Sequence, residues 1–594
     1  MHDPRALLQE RLATRRVAVA GWERRDARIA LLRLAVFAAL AAVGVAALAL
    51  GRLSSFWMLV PAAGFVALMV WHDRTLRALA RARRAVVFHE AGLARLDGSW
   101  AGRGDDGERY SSEDHPYARD LDLFGKGSLF ELLCTARTRP GSDLLASWLL
   151  APASAGEVRS RQGAVGDLAP RLDLREDLAV LGEDVRAELH PERLAAWAEA
   201  PRLLPGWLVA PALLVGAAAL AALVGWFAGA VPGLAVVGIA AVEWVALRAA
   251  AASLGQVLGG VERPGHELLL MAELLGRLER EPFGDERLRA LQAALGAGGD
   301  VASHRIRVLS RIVERAAWAS NQFFAPVAFL VLWKPQAALA IERWRAAHGR
   351  SVRGWLGAAA ELEALSALAG HAWLHPADAF PSVDDLAGGA HLDGEGLGHP
   401  LLPEERVVRN DVRLGPEARL LVVSGSNMSG KSTLLRTVGA NAVLALAGAP
   451  VRARRLALTP VQVGATLRIQ DSLAEGRSRF YAEITRLRAL LDLSSRPPPV
   501  LFLLDELLAG TNSRDRRIGA EAVLRSLLGR GAIGLVTTHD LALSEMAPAL
   551  GAAVNAHFED EVKDGEVVFD YRLRPGVVTH SNALALMRAV GLEV

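Results

Sequence analysis

Two uncharged runs, residues 34–51 (LAVFAALAAVGVAALALG) and 53–71 (LSSFWMLVPAAGFVALMVW), lie near the start of the chain with Arg52 alone between them. Each is close to the ~20 residues that cross a bilayer, so the pair predicts a helical hairpin over 34–71. Arg24, Arg25, Arg28 and Arg33 precede it, and Arg74, Arg77, Arg81, Arg83 and Arg84 follow it. Basic residues gather on the cytoplasmic side, which puts both ends of the hairpin inside. A cleaved leader does not fit, because the first run is too long and the second follows at once. A second apolar block, 203–247, is broken at GAVPG and predicts another membrane hairpin, with a buried soluble helix pair as the alternative. Glu243 lies within it, either as a functional intramembrane acid or close enough to a helix end to meet the interface. The stretch 323–333 contains Pro326 and is too short to span, so it is expected to pack in a core or at an interface.

Elsewhere in the first 390 residues apolar positions recur every three or four residues, as in 127–150 and 266–281, which predicts helices. Near residue 400 the period changes. RLLVVSG, VLFLLDE and AIGLVTTHD read as short buried strands alternating with helices, the pattern of an α/β domain with a mostly parallel sheet. No internal repeat or long low-complexity linker interrupts it. The 594 residues leave room for several domains. A net charge of only +2 excludes a chain-long polyanion-binding strip. Cys134, the single cysteine, excludes an internal disulfide and fits a reducing compartment. Lysine is confined to Lys126, Lys334, Lys431 and Lys563 in an arginine-rich chain, so Lys431 points to chemistry that requires a lysine there.

Lys431 belongs to GSNMSGKS, residues 425–432, which matches G-x-x-x-x-G-K-[ST] between a strand and an apolar-faced helix. Glycines there let backbone N–H groups turn toward phosphates, and the helix N-terminus adds a favourable dipole. Lys431 is expected on the β- and γ-phosphates and the Ser432 hydroxyl on Mg²⁺. Gly425, Ser426, Met428, Ser429, Gly430 and Thr433 complete the cradle for ATP. The strand VLFLLDE ends in two acids, which predicts Asp505 as a second Mg²⁺ contact and Glu506 as the group that polarises the attacking water. His539 closes the strand GLVTTHD at its carboxyl end, where open α/β sheets bind ligands, and is expected at the γ-phosphate or the water. ATP hydrolysis follows from this set.

Four segments together resemble the ATPase domain of the MutS mismatch-repair family: GSNMSGKSTLLRTVGANAVLALAGAPVRA, DSLAEGRSRFYAEITRL (471–487), LLDELLAGTNSRDR (503–516) and TTHD. Residues 399–415 are similar to the family's lead into that domain, 127–168 to the start of its helical core and lever, and 360–372 to the lever's return. The resemblance implies that Asn427 lies beside the phosphates. It also implies that Ser478, in GRSRF, crosses a homodimer to the partner's γ-phosphate; on its own, that segment reads equally as an anion contact or a solvated turn. DNA is a partner by resemblance alone. The chain departs from the family in three places. The mismatch-reading domain has no counterpart, and Phe88 and Glu90 in VFHEAGL only superficially match that domain's Phe-x-Glu wedge. The second hairpin stands where the lever and clamp extend, and the closing segment stops before most of the helix-turn-helix.

The expected architecture is an α-helical core and lever domain with transmembrane hairpins, followed by an α/β P-loop NTPase domain. Its expected parts are 1–33 (cytoplasmic helix), 34–71 (hairpin), 72–119 (connector), 120–202 (first lever part), 203–247 (hairpin), 248–390 (second lever part) and 391–594 (ATPase). The expected place is the inner (cytoplasmic) membrane, multi-pass, with the ATPase in the cytoplasm. The alternative, an ABC-type transporter ATPase fused to membrane helices, lacks an LSGGQ-like signature, and no transported substrate is expected.

Overall fold

The computed structural model describes residues 3–186, 191–259, 265–296, 301–319, 321–322, 324–426, 428–468, 479–509, 511–539, 541–563 and 566–577. The chain divides into two units, Met1–Arg103 with Leu172–Val180, and Gly104–Arg171 with Leu181–Val594.

The first unit is an antiparallel pair of long helices, Pro4–Gly44 and Leu59–Leu96. Asp3 caps the first by accepting from Arg5 N at 2.9 Å, and Pro4 takes the first helical position, where no N–H is needed. The helices extend well beyond the apolar runs at the basal end. There Arg16–Glu90 and Arg83–Glu23, both at 2.7 Å, join the two helices. Exposed pairs of this kind contribute only about 0–1 kcal/mol each, so the buried Leu8, Leu12, Ile29 and Leu79 hold the base together. Fully buried His89 meets Glu176 at 3.0 Å and Arg15 meets the other oxygen at 2.7 Å, which fastens Leu172–Val180 to the pair.

Toward the hairpin tip the side chains turn outward: Leu48 is 72 % and Phe56 78 % exposed. Among the described residues four helices, Pro4–Ala49, Phe56–Leu96, Ala210–Phe227 and Gly233–Gly259, are long and apolar enough to cross a membrane by length and composition. The block near 203–247 is not buried within the chain, since Leu214, Phe227 and Leu234 point outward. Its second helix runs to Gly259, past the expected end. Glu243 therefore lies in the helix interior rather than near its end. It is 1 % exposed, and among the described residues neither carboxylate oxygen has a hydrogen-bond partner. The expectation that it lies near the helix end is corrected on that ground.

The second unit is built around the helix Trp333–Leu374, about 63 Å long at 1.5 Å per residue. Pro326 falls in the short preceding helix Ala325–Leu330, and the chain turns at Leu332 (φ 49°) before the long helix starts. The end of the long helix is rich in alanine and leucine, buried from Ala358 through Leu368 except at half-buried Glu361, and the helices Arg139–Leu150 and Ala155–Leu168 pack on it. Buried Glu363 accepts from Arg137 N (3.1 Å), Thr138 N (3.3 Å) and the Thr138 hydroxyl, so it satisfies backbone groups where the Arg139 helix begins. Gly349 is required by close approach: a Cβ there would stand 2.1 Å from Ala198 O.

Among the described residues ten strands follow: β1 (Ser382–Val383), β2 (Leu392–Leu397), β3 (Asn410–Leu414), β4 (Leu420–Ser424), β5 (Arg455–Leu458), β6 (Gln462–Thr466), β7 (Val500–Leu504), β8 (Ile533–Thr538), β9 (Ala553–Lys563) and β10 (Glu566–Pro575). They form a four-stranded sheet, β1-β5-β2-β3, and a six-stranded sheet, β10-β9-β4-β8-β7-β6. In the larger sheet only β10 is antiparallel to its neighbour. β4, β7 and β8 are buried along their whole length, which explains their unbroken apolar sequence. Fully buried Asp120 joins the helical region to this domain by accepting from Leu467 N (2.9 Å) and Arg468 N (2.7 Å).

Candidate functional site

The site gathers at the carboxyl ends of β4, β7 and β8. β4 delivers the chain into the loop that turns at Gly425 (φ 153°), Met428 (φ 72°) and Gly430 (φ 102°) before the helix Lys431–Ala447 begins. Met428 projects outward, 83 % exposed. The φ of Gly430 suits glycine, and a Cβ added there would lie 3.1 Å from the Tyr571 ring. Thr433 follows Ser432 in the first turn of that helix and lines the same cavity. Asn427 and Ser478 lie outside the described residues.

Lys431 folds back under the loop, and its Nζ donates to Gly425 O (2.8 Å) and Ser426 O (2.7 Å). Burial pushes its pKa down, while Glu506, Asp505 and Asp560 favour its charged form. The hydroxyls of Ser426 and Ser429 are buried without a hydrogen-bond partner among the described residues. Buried hydroxyls normally find one, so these two fit the oxygens of a bound phosphate. Ser432 Oγ donates to Asp505 Oδ2 at 2.5 Å, an all-oxygen pair suited to Mg²⁺.

Thr537 on β8 organises the acidic pair. Its hydroxyl donates to Asp505 Oδ1 and accepts from Glu506 N at 3.1 Å. Glu506 holds a left-handed backbone (φ 50°), a conformation costly for a residue with a side chain and frequent at functional sites. His539 Nδ1 lies 3.4 Å from Glu506 Oε1, so the two groups expected near the attacking water are neighbours. Leu508 N donates to Glu483 Oε1 at 2.5 Å, which ties the turn after Glu506 to the helix Arg479–Leu493.

A cavity of about 880 Å³ opens over these groups. Lys431, Ser432, Thr433 and Glu506 line one part of it; Leu402, Val407, Val408, Phe558 and Tyr571 line the rest. Its volume and its mix of apolar lining with a few polar groups match small-molecule sites. Tyr571 sits at an irregularity in the β9–β10 register, with φ 54°. Asn410 clamps that irregularity by donating to Tyr571 O (3.0 Å) and accepting from Leu573 N (2.8 Å). Sequence reasoning missed Thr537, Asn410 and Tyr571. Of these, Thr537 lay within the motif TTHD and Asn410 within the segment 399–415, whereas Tyr571 lay in neither.

His399 also lines the cavity. Burial, aided by Arg436, pushes its pKa down to about 4 from an ordinary value of 6.5. The unfolded chain therefore takes up a proton below pH 6.5 that the folded one refuses until about pH 4. Stability of roughly 3 kcal/mol is present above pH 6.5 and lost as pH falls to 4. Thermal midpoints measured from pH 7 to pH 4.5 should fall less steeply for His399→Gln than for the wild type. Equal slopes would show that this imidazole carries no such linkage.

Residues 421–593 match the family model MutS domain V. Over 235 residues the chain is 35 % identical to the DNA mismatch repair protein MutS 2 of Halobacterium salinarum, covering 39 % of this chain and 27 % of that protein. Endonuclease MutS2 of Thermus thermophilus is 35 % identical over 195 residues, covering 33 % of this chain and 25 % of that protein. The DNA mismatch repair protein MutS 2 of Haloarcula marismortui is 35 % identical over 221 residues, 33 % of this chain and 23 % of that protein. The chain thus spans about a quarter of the length of the curated relatives it matches. With the phosphate loop, the acidic pair and the β8 terminus assembled as described, residues 421–593 match MutS domain V, and over that segment the chain is similar to proteins of the MutS family.

Proposed function

We propose that this chain is a membrane-anchored MutS-family ATPase whose nucleotide site is completed by a second copy. The observation that carries the reading is the convergence of Lys431, Ser432, Asp505 and Glu506 on one cavity with an apolar wall. The base of ATP is placed against Val407, Val408 and Tyr571, and the phosphates against the loop 425–433. Lys431 exchanges its two carbonyl partners for phosphate oxygens, and Ser426 and Ser429 supply hydroxyls. Ser432 and Asp505 hold Mg²⁺, which neutralises phosphate charge when bound. Glu506 orients the attacking water and takes its proton, and His539 beside it contacts the water or the γ-phosphate.

The hairpins anchor the protein in the inner membrane, with the ATPase domain (391–594) in the cytoplasm and the lever in two parts, 120–202 and 248–390. The outward apolar side chains of the four long helices and the flanking arginines support this placement. The names of the relatives support DNA, or a protein partner acting on it, as what the levers move.

Complementation tests the shared site. Lys431→Ala and Ser478→Ala are each inactive alone. In a homodimer with crossed sites, a heterodimer of the two variants keeps one intact site. An equimolar mixture should therefore recover about a quarter of the wild-type rate. No recovery despite demonstrated subunit exchange would make each copy self-sufficient.

A further inference from the structure

The long helix Trp333–Leu374 ends beside a cluster that the nucleotide site does not use. His371 lies in its last turn, His375 caps it, and Asp378 follows after one more turn of chain. One donor atom from each of the three residues lies within 4.8 Å of the other two. His371 Nε2 and Asp378 Oδ2 face each other at 3.9 Å, and both side chains are buried. That gap is too long for a hydrogen bond. Asp378 Oδ2 has no hydrogen-bond partner among the described residues, although the side chain is only 4 % exposed. A buried carboxylate oxygen left this way is costly unless a cation satisfies it.

The second imidazole is oriented as a ligand. His375 Nδ1 lies 3.2 Å from His371 O, and a carbonyl only accepts, so Nδ1 carries the proton and Nε2 is the basic nitrogen of the ring. Anchoring the second ring nitrogen to a backbone carbonyl is what metal-bound histidines usually do. The rings lie 4.5 Å apart, centre to centre. The carboxyl end of a helix is also the end that favours a cation. Arg452 and Arg409, whose charges favour the ionised form of Asp378, both hydrogen-bond to Glu404.

We propose that His371, His375 and Asp378 bind a divalent ion of the zinc class, with a water in the fourth position. Two imidazoles and a carboxylate without thiolate suit Zn²⁺ and its neighbours, whereas Mg²⁺ prefers oxygen alone. The donors stand somewhat wider than the roughly 3.3 Å of a filled tetrahedral site, a difference that side-chain rotation closes. The ion would stiffen a joint. The residue after Asp378, Ala379, pairs with Val451, through Ala379 N to Val451 O (3.2 Å) and Val451 N to Ala379 O (2.9 Å). Arg452 N in turn donates to Asn441 Oδ1, at 2.8 Å, on the helix that leaves the phosphate loop. The site thus lies where the lever helix meets the nucleotide-binding domain.

The test uses the full chain in detergent, stripped by chelator and returned to excess Mg²⁺. Co²⁺ should bind at one ion per chain, with the visible absorption of a four-coordinate site, and Zn²⁺ should displace it. His371→Ala, His375→Ala and Asp378→Asn should each weaken binding at least about tenfold, while Asp505→Asn leaves the absorption unchanged. X-ray absorption of the wild-type protein loaded with Zn²⁺ should show scattering from two imidazoles, a readout independent of whether any variant folds. No Co²⁺ uptake by the stripped wild-type protein, an all-oxygen ligand shell, or unaltered binding by His371→Ala/His375→Ala would overturn the proposal. None of these outcomes bears on nucleotide turnover.

Discussion

Glu506→Gln is expected to lower the ATP turnover number by at least about a hundredfold, or about 2.7 kcal/mol of barrier, while ATP still binds. The substitution keeps the size and the left-handed backbone of the residue, which Thr537 holds through the Glu506 N–H rather than through the side chain. What disappears is a carboxylate able to take the proton of the attacking water. Asp505, Ser432 and Lys431 are untouched, so the affinity for nucleotide should change little. Phosphate release under saturating ATP gives the first quantity, and titration with a fluorescent analogue gives the second. If variant and wild type turn over at the same rate, hydrolysis does not occur at this site.

Lys431→Met is expected to raise the dissociation constant for ATP roughly 10- to 150-fold, about 1.5–3 kcal/mol for a charge-assisted contact. Methionine has a similar reach and no charge. In the absence of nucleotide the replacement removes a cation that burial already disfavours, along with two hydrogen bonds to neutral carbonyls. The fold should therefore tolerate it. The loss appears on adding ATP, as a thermal shift much smaller than that of the wild type at the same concentration. Calorimetric titration checks the affinity directly, and an unchanged constant would remove Lys431 from the phosphate contacts.

Much of this site was legible because its chemistry is local in sequence. The phosphate loop, the acids after β7 and the histidine after β8 each follow a short apolar run, and those runs are the buried parallel strands observed. Tyr571 was not legible, since it reaches the loop from about 140 residues away through an irregular stretch of β10 that Asn410 helps to hold. Thr537 was read as strand and not as a ligand to both acids, because the β7–β8 register that brings them together is not a local property. The helices Pro4–Gly44 and Leu59–Leu96 were underestimated for a different reason. Hydropathy marks where a helix can meet lipid, but not where helix–helix packing and ion pairs prolong it into water. Glu243 shows the same limit: composition located the acid, and only packing decided which way it points.

Under the proposed shared site, the bond from Leu508 N to Glu483 would make the timing of hydrolysis answerable to a distant cue. Glu483 lies on the helix that opens one residue after Ser478, so whatever displaces that helix along its axis tugs on the peptide two positions beyond Glu506. A subunit whose neighbour has not engaged would hold its triphosphate with the water-polarising carboxylate out of register. Arrival of the neighbour would then act as a trigger on cleavage rather than as an added source of grip.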